Sequence, residues 1–581
     1  MAAIGGAERR VFAAAGRSLV TGVTVARLNF AGSAIGVLFF CLSLTPSLLP
    51  RGWLMQGLVS GILAATGYLV GVTIGFLVRH GGRLAGRVLR AHAMPAHVLS
   101  ARARPATERL RELAWPVLGG LSALLVPISM YRGTVWQSEI HRTIGLEPPS
   151  ATSYLAVPVV TGVLFTVLIA LVRALRSAVV RLGRFLGRWI PVLLAKAVAT
   201  VAVTALFLAS LNGLVADVLM RGANNSFAAV NSELNPGVAP PANPMVSGSV
   251  SSLVSWASLG RQGRRFVTEG PRPEQLRAFS GAAPVNPARV YVGLDSAPSV
   301  TERATLAVRE LERTGAFERE AICLITTTGT GWVDSDSVDP LEYLYNGDTA
   351  LAAIQYSYLP SWLSFVVDQD RARAAAEELF EQVHARWSRI PEEKRPKLFV
   401  FGESLGALGA ESVFGDLDDI RTRTDGMLLV GPPESSVLRR ELIANRDYGS
   451  TETRPVYQDG RTVRFADRGS DLARPYAPWE FPRVVYLQHA SDPIVWWSPR
   501  LMLHRPDWLE EPRGDNVLPN FQWYPFVTFW QLTADMVFSV QMPPGIGHDY
   551  GAEAADAWGE IAAPEGWTPA RAAALRAQFG G

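Results

Sequence analysis

Lys397-Leu-Phe-Val-Phe-Gly-Glu-Ser-Leu-Gly-Ala-Leu-Gly-Ala-Glu-Ser-Val-Phe414 is the stretch that decides how the C-terminal half of this chain folds. Its first part, Lys397–Phe401, is an apolar run of strand length, and its last part, Ala407–Phe414, reads as a helix. Between them stands Gly402-Glu403-Ser404-Leu405-Gly406, a G-x-S-x-G pentapeptide. Strand, tight turn and helix in that order lift the serine onto a sharp bend where its hydroxyl is exposed to a reactant. The glycines flank the serine because a backbone turning so tightly leaves no room for a Cβ on either side.

Short apolar runs alternate with amphipathic ones on both sides of this segment. Val290–Leu294, Ala321–Thr326, Ala350–Tyr356, Gly426–Val430 and Arg483–Gln488 read as strands, and Thr301–Thr314 and Asp368–Arg389 as helices. Strands that are continuously apolar, rather than alternating, and are separated by helices belong to a parallel sheet covered on both faces. Right-handed crossovers place the functional loops of such a sheet at the carboxyl ends of its strands.

Serine needs a neighbouring base to act as a nucleophile near neutral pH. After Ser404 the histidines are His489, His504 and His548. His489 falls at a strand end and His504 in a proline-bounded segment, so both read as structural. His548 lies in the glycine-rich loop Pro543-Pro-Gly-Ile-Gly-His-Asp-Tyr550, which can swing an imidazole over the sheet, and is the expected base. Asp492, in Ser491-Asp-Pro493 at the end of the last predicted strand, is the expected acid. Asp535 and Asp549 are its alternates. The developing oxyanion needs preorganised N–H donors. These are expected from Leu405, which follows the serine, and from Thr330 in the Thr327–Trp332 loop. Glu403 reads as a structural hydrogen bond beneath the turn, and Trp496, Trp497, Trp523, Tyr524 and Trp530 as pocket, membrane-surface or core aromatics.

The first third of the chain has a different character. Five apolar stretches, Leu28–Leu48, Leu54–Val78, Leu113–Tyr131, Tyr154–Leu175 and Trp189–Leu211, approach the roughly 20 residues needed to cross a bilayer. Arginines collect in alternate connections. Arg9, Arg10, Arg17 and Arg27 precede the first stretch. Arg79, Arg83, Arg87, Arg90, Arg102, Arg104, Arg109 and Arg111 separate the second from the third, and Arg173, Arg176, Arg181, Arg184 and Arg188 the fourth from the fifth. The positive-inside rule then predicts a cytoplasmic N-terminus, and an odd number of spans carries the rest of the chain to the outer side. Lys196, inside the fifth stretch, reads as a side chain snorkelling to the inner edge. Residues 1–220 are thus expected to form a five-helix transmembrane domain, 221–281 a connector rich in Asn, Pro, Ser and Gly, and 282–581 the α/β domain.

Composition narrows the function classes. With 48% hydrophobic residues against 18% charged and a net charge of +3, nothing in the bulk electrostatics favours nucleic acid. Cys41 and Cys323 fall in separate predicted domains, so no disulfide is expected. There is no H-E-x-x-H and no G-x-x-x-x-G-K-[ST], so neither a metal nor a nucleotide cofactor is expected.

Several motifs together resemble a bacterial family of membrane-attached α/β-hydrolases. They are Leu42-Ser-Leu-Thr-Pro-Ser-Leu-Leu-Pro-Arg51, Thr328-Gly-Thr-Gly-Trp-Val333, Gly347-Asp-Thr-Ala350 and Gln355-Tyr-Ser-Tyr-Leu-Pro-Ser-Trp362. Phe401–Gly406, Tyr486-Leu-Gln-His-Ala-Ser-Asp-Pro493 and Gly547-His548 continue the series. The resemblance implies a multi-span N-terminal domain followed by a serine hydrolase domain with Ser404, Asp492 and His548 as its triad. On this reading the substrate is a lipid or another small ester, and the protein sits in the inner or plasma membrane with its catalytic domain outside. An envelope acyltransferase is the alternative within enzymes, and a membrane scaffold with a retired hydrolase domain the alternative outside them.

Overall fold

The computed structural model describes residues 28–92, 104–150, 152–210, 230–233, 239–359, 361–474 and 477–580. Arg9, Arg10, Arg17, Arg27 and Arg102, and the Gly222–Ser226 and Asn235–Val238 parts of the predicted connector, lie outside them. The chain divides into two compact units. One comprises Met1–Asp217, Leu501–His504 and Asn520–Ala534. The other comprises Val218–Arg500, Arg505–Pro519 and Asp535–Gly581.

Among the described residues, the second unit is built on seven strands: β1 Ala288–Val292, β2 Ala321–Thr326, β3 Thr349–Ile354, β4 Lys397–Glu403, β5 Gly426–Val430, β6 Val463–Ala466 and β7 Arg483–Leu487. They run in the order β1-β3-β2-β4-β5-β7-β6, and every pairing is parallel. This is the parallel sheet that the continuous apolar runs predicted, since β1, β2, β3 and β5 are buried along their whole length. The sequence reading misses β6. Val463-Arg-Phe-Ala466 is a short edge strand with a charged residue at its centre, and Arg464 is accommodated only because its guanidinium finds the carbonyls of Gly460, Leu472 and Ala477. Helices cover the sheet, including Val300–Arg313, which opens on a reciprocal Ser299–Glu302 capping box. Trp558, fully buried on the helix Glu553–Ile561, packs against Phe399 and Phe401 of β4. The described part of segment 221–281 joins this unit too, through Val246, Val254, Leu259, Phe266 and Leu276 of its core.

The first unit is helical: α1 Phe30–Ser43, α2 Trp53–His92, α3 Arg104–Thr143, α4 Val157–Leu186 and α5 Val192–Ala209. Among the described residues, four helical stretches are long and apolar enough to cross a membrane: Trp53–Gly81, Leu113–Thr143, Ser153–Leu186 and Val192–Ala209. This corrects the expected five. The predicted first span, Leu28–Leu48, yields only the 14-residue α1, about 21 Å of helix against a hydrocarbon core of about 30 Å. Asn29 caps its start, its side chain accepting from Gly32 N–H, and Pro46 disfavours helix just beyond its end. Close backbone approach substitutes for the missing hydrophobic drive between apolar helices. A Cβ on Gly67 or Gly71 of α2 would collide with the carbonyls of Ile35 or Ala31 in α1, and one on Gly57 or Gly61 with Val160 or Leu164 of α4.

The aromatic segment 520–534 is part of this helical unit. Val527 and Ala534 share a buried cluster with Phe39, Val59 and Leu63, flanked by Tyr524 and Trp530. Gln531 Nε2 donates to the carbonyl of Thr45 at 3.0 Å. Trp496 and Trp497 belong to the sheet unit, so the predicted aromatic group divides between the two.

Candidate active site

Ser404 sits at the end of β4 with φ 57° and ψ −123°, a conformation that L-residues rarely adopt. The neighbouring strands enforce it. Gly402 is level with Thr326 of β2, and Glu403 with Val430 of β5. The Ser404 N–H donates to the carbonyl of Val430 at 2.8 Å, and the chain then enters the helix Leu405–Glu411. A Cβ on Gly402 would strike the carbonyl of Gly406, and one on Gly406 that of Thr326. The glycines of the pentapeptide are therefore required by close approach on both sides of the bend.

Asp492 and His548, predicted from separate segments, lie together. Nδ1–H of His548 donates to Oδ2 of Asp492 at 2.6 Å, with both side chains buried. The carboxylate is held by two further donors, the Ile494 N–H on Oδ1 at 2.8 Å and the Tyr550 hydroxyl on Oδ2 at 2.9 Å. The imidazole lies against Gly431, the residue after Val430, whose φ of 53° and lack of a side chain leave space for it. His548 Nε2 is buried with no hydrogen-bond partner, so the Ser404 hydroxyl does not engage it in this conformation.

The turn after β7 and the loop carrying His548 are tied together. Gly547 N–H donates to Ser491 Oγ at 3.0 Å, and Nδ1 of His489 binds the Gly547 carbonyl at 2.9 Å. His489 is buried and acts here as a strut. His504 is grouped with the helical unit. Neither alternate acid bonds to His548 Nδ1. Asp549 is half-buried beside it, its carboxyl pushed up first by burial and then by Asp336, with His489 and His548 acting in the opposite direction.

Leu405 begins the helix, where no preceding turn supplies an acceptor for its N–H. Thr330 stands in the loop after β2, the immediate neighbour of β4 in the sheet. The loop is pinned by Thr328 N–H to the Trp332 carbonyl at 3.0 Å, by the Tyr291 hydroxyl to the Gly331 carbonyl at 2.7 Å, and by Gln355 Nε2 to the Thr330 carbonyl at 3.3 Å. Glu403 differs from expectation. It is buried, and its Oε2 makes no hydrogen bond beneath the turn. Burial first, then Asp334, Asp549 and Asp492, raise its carboxyl well above the usual range. Among the described residues no group of His, Cys, Asp or Glu is placed to hold a metal ion.

Residues 288–575 match the alpha/beta-hydrolase family, and residues 44–271 match the N-terminal region described for that family. The chain belongs to this family. Its sheet and its apolar helices thus fall under the two halves of one family architecture. No curated protein and no solved structure matches the chain.

Tyr550 and Gly431 are the site residues that sequence reading missed. Tyr550 lies two positions beyond His548 in the quoted loop, and Gly431 directly follows a predicted strand. Nothing in either local pattern reveals what it touches.

Proposed function

We propose that this α/β-hydrolase is a membrane-anchored serine hydrolase acting on ester bonds through an acyl-enzyme. The observation that carries the reading is the 2.6 Å Asp492–His548 hydrogen bond, with its imidazole laid on Gly431 beside the strained serine. Ser404 Oγ attacks the ester carbonyl as its proton passes to His548 Nε2. Asp492 stabilises the imidazolium, and the Leu405 and Thr330 N–H groups receive the oxyanion. The carbon–oxygen bond to the alcohol breaks, His548 returns the proton to the departing oxygen, and the acyl group remains on Ser404. Water repeats the sequence, giving its proton to His548 and releasing the acid. The reaction requires Ser404 Oγ to meet Nε2, a catalytic hydrogen bond of the kind that forms only in the substrate complex.

The arginines predicted for the connections fall largely on the helices themselves, at the end of α2, the start of α3 and the end of α4, and these arginine-rich ends are taken as cytoplasmic. Both ends of the four-span set, Trp53 and Ala209, then lie on the outer side, and with them the hydrolase unit. The N-terminus is cytoplasmic only if α1 also crosses. An outward active site on a membrane-tethered chain suits a lipid or another amphipathic ester.

A fluorophosphonate probe applied to membranes tests the chemistry. Wild type should be labelled and Ser404→Ala should not, with His548→Ala and Asp492→Asn labelled far more slowly. Equal labelling of Ser404→Ala discards the reading.

A further inference from the structure

Tyr550 touches both members of the Asp492–His548 pair and the strand end that supports them. Its hydroxyl is 2.9 Å from Asp492 Oδ2 and 3.1 Å from the backbone nitrogen of His489. Its ring stacks on His489 at 3.9 Å and meets the His548 imidazole edge-to-face at 5.9 Å. The direction of the hydrogen bonds is fixed by chemistry. The His489 N–H can only donate, which occupies the phenol's acceptor side, and an ionised carboxylate can only accept. The single phenolic proton is therefore aimed at the oxygen that also serves His548.

We propose that Tyr550 is a positioning residue of the reaction proposed above, its hydroxyl setting both the orientation of Asp492 and the share of that carboxylate's charge offered to His548. The inference rests on the Ser404–His548–Asp492 reading. A neutral donor on Oδ2 spreads the negative charge and weakens its hold on the imidazolium. Removing the phenol concentrates that charge on Oδ2 and tightens its hold on the imidazolium. The Ile494 N–H fixes the other oxygen, so rotation of the carboxyl cannot replace the phenol.

Other charged groups surround this network. Asp467, following β6, holds the Ala490 N–H at 3.0 Å and acts on Tyr550. Buried Arg439, from the helix Val437–Ala444, opposes it, bonding Gln488 at 2.9 Å. Glu403 at the end of β4, Asp549 beside His548 and His489 complete the set. Of these, only Tyr550 shares an Asp492 oxygen with His548.

The test follows the rate of Ser404 phosphonylation by a fluorophosphonate against pH, on the full chain in detergent. Tyr550→Phe should raise the midpoint of the acid limb by about half to one pH unit and lower the plateau several-fold. Site-specific 3-fluorotyrosine at 550, a stronger donor of almost the same shape, should lower the midpoint. In an Asp492→Asn background the Phe substitution should leave the midpoint where it is. Unmoved midpoints with both replacements overturn the proposal, whatever happens to the plateau. If Tyr550→Phe does not fold, the fluorotyrosine protein, which keeps every contact, decides alone. Failure of the underlying reading looks different: either wild type is not labelled, or Ser404→Ala is labelled equally. Either result removes this inference with the reading.

Discussion

The imidazole of His548 rests on the Cα of Gly431, where any Cβ would overlap Nδ1 and Cε1 of the ring. Gly431 follows the strand beside the serine, so this contact sets how close the proposed base comes to the elbow. Gly431→Ala should displace the ring by about 1 Å and slow phosphonate labelling of Ser404 by about 100-fold. Its positive φ adds a backbone penalty of about 1 kcal/mol or more. Labelling kinetics beside a thermal melt separates the two effects, and a wild-type rate would show that the contact does not position the base.

Buried carboxyls give stability a definite pH dependence. Burial is the leading cause that pushes Asp334 up to about 6 and Glu411 and Glu452 up to about 7. The folded state therefore holds these protons more tightly than the unfolded chain. Their stabilising effect is complete below the ordinary carboxyl range and is lost as pH rises through about 6 to 7. Denaturant midpoints should fall between about pH 5 and pH 8. Glu411→Gln, which keeps an acceptor for the Leu438 N–H, should flatten the slope.

Arg289 of β1 is buried against two carboxylates. It bonds Glu342 through Nε at 3.0 Å and through a terminal nitrogen at 2.6 Å, meets Asp339 as well, and donates to the Phe266 carbonyl at 2.8 Å. Arg289→Met strands both acids and should cost about 3 to 5 kcal/mol. Replacing all three residues by apolar ones of similar volume should recover much of that loss. Urea unfolding of the two variants makes the comparison; equal loss in both would mean that packing, not charge, dominates.

Four spans place successive connections on alternate faces. In a chain with Cys41 replaced by serine, single cysteines at Gly145 and Arg188 should react with an impermeant maleimide from opposite sides of sealed vesicles. A cysteine in the hydrolase unit, at the exposed residue Tyr448, should follow Gly145. Labelling of Gly145 and Arg188 from the same face, or of Tyr448 from the Arg188 face, would contradict the span count, and Gly145 and Tyr448 reacting from the cytoplasmic side would reverse the proposed orientation.

Packing of α1 on α2 depends on the absence of side chains at the crossing. Gly71→Val forces a methyl-bearing carbon into the carbonyl of Ala31. Overpacking of this kind costs about 1 to 3 kcal/mol. The melting temperature in detergent should fall accordingly, while Gly162→Val, where no heavy atom stands within 4 Å, should leave it nearly unchanged.

Much of this architecture is local and therefore legible in the chain. A buried parallel strand must be apolar on both faces, so β2 and β5 could be bounded to the residue from their composition. The serine elbow announces itself through glycines that sterics impose at fixed spacing. Apolar helices of membrane-spanning length are equally visible, but α1 shows the limit: apolar composition continues through Leu48, whereas the helix stops at Ser43 ahead of Pro46.

What the chain could not reveal is convergence. Asp492 and His548 each stand at a plausible loop, but their shared hydrogen bond depends on β7 lying next to β5 and on the two loops being tied by His489 and Ser491. Tyr550 and Gly431 acquire their roles only in that arrangement, because a side chain's partner across fifty-six residues leaves no periodic trace. Segment 520–534 carries the same lesson, since its aromatics lie between Asp492 and His548 in sequence and yet pack with helices at the start of the chain. Sequence determined which segments are strand, elbow and apolar helix, since local sterics and burial act residue by residue. Tertiary structure alone decided which polar groups meet, because that depends on strand order and loop closure over long distances.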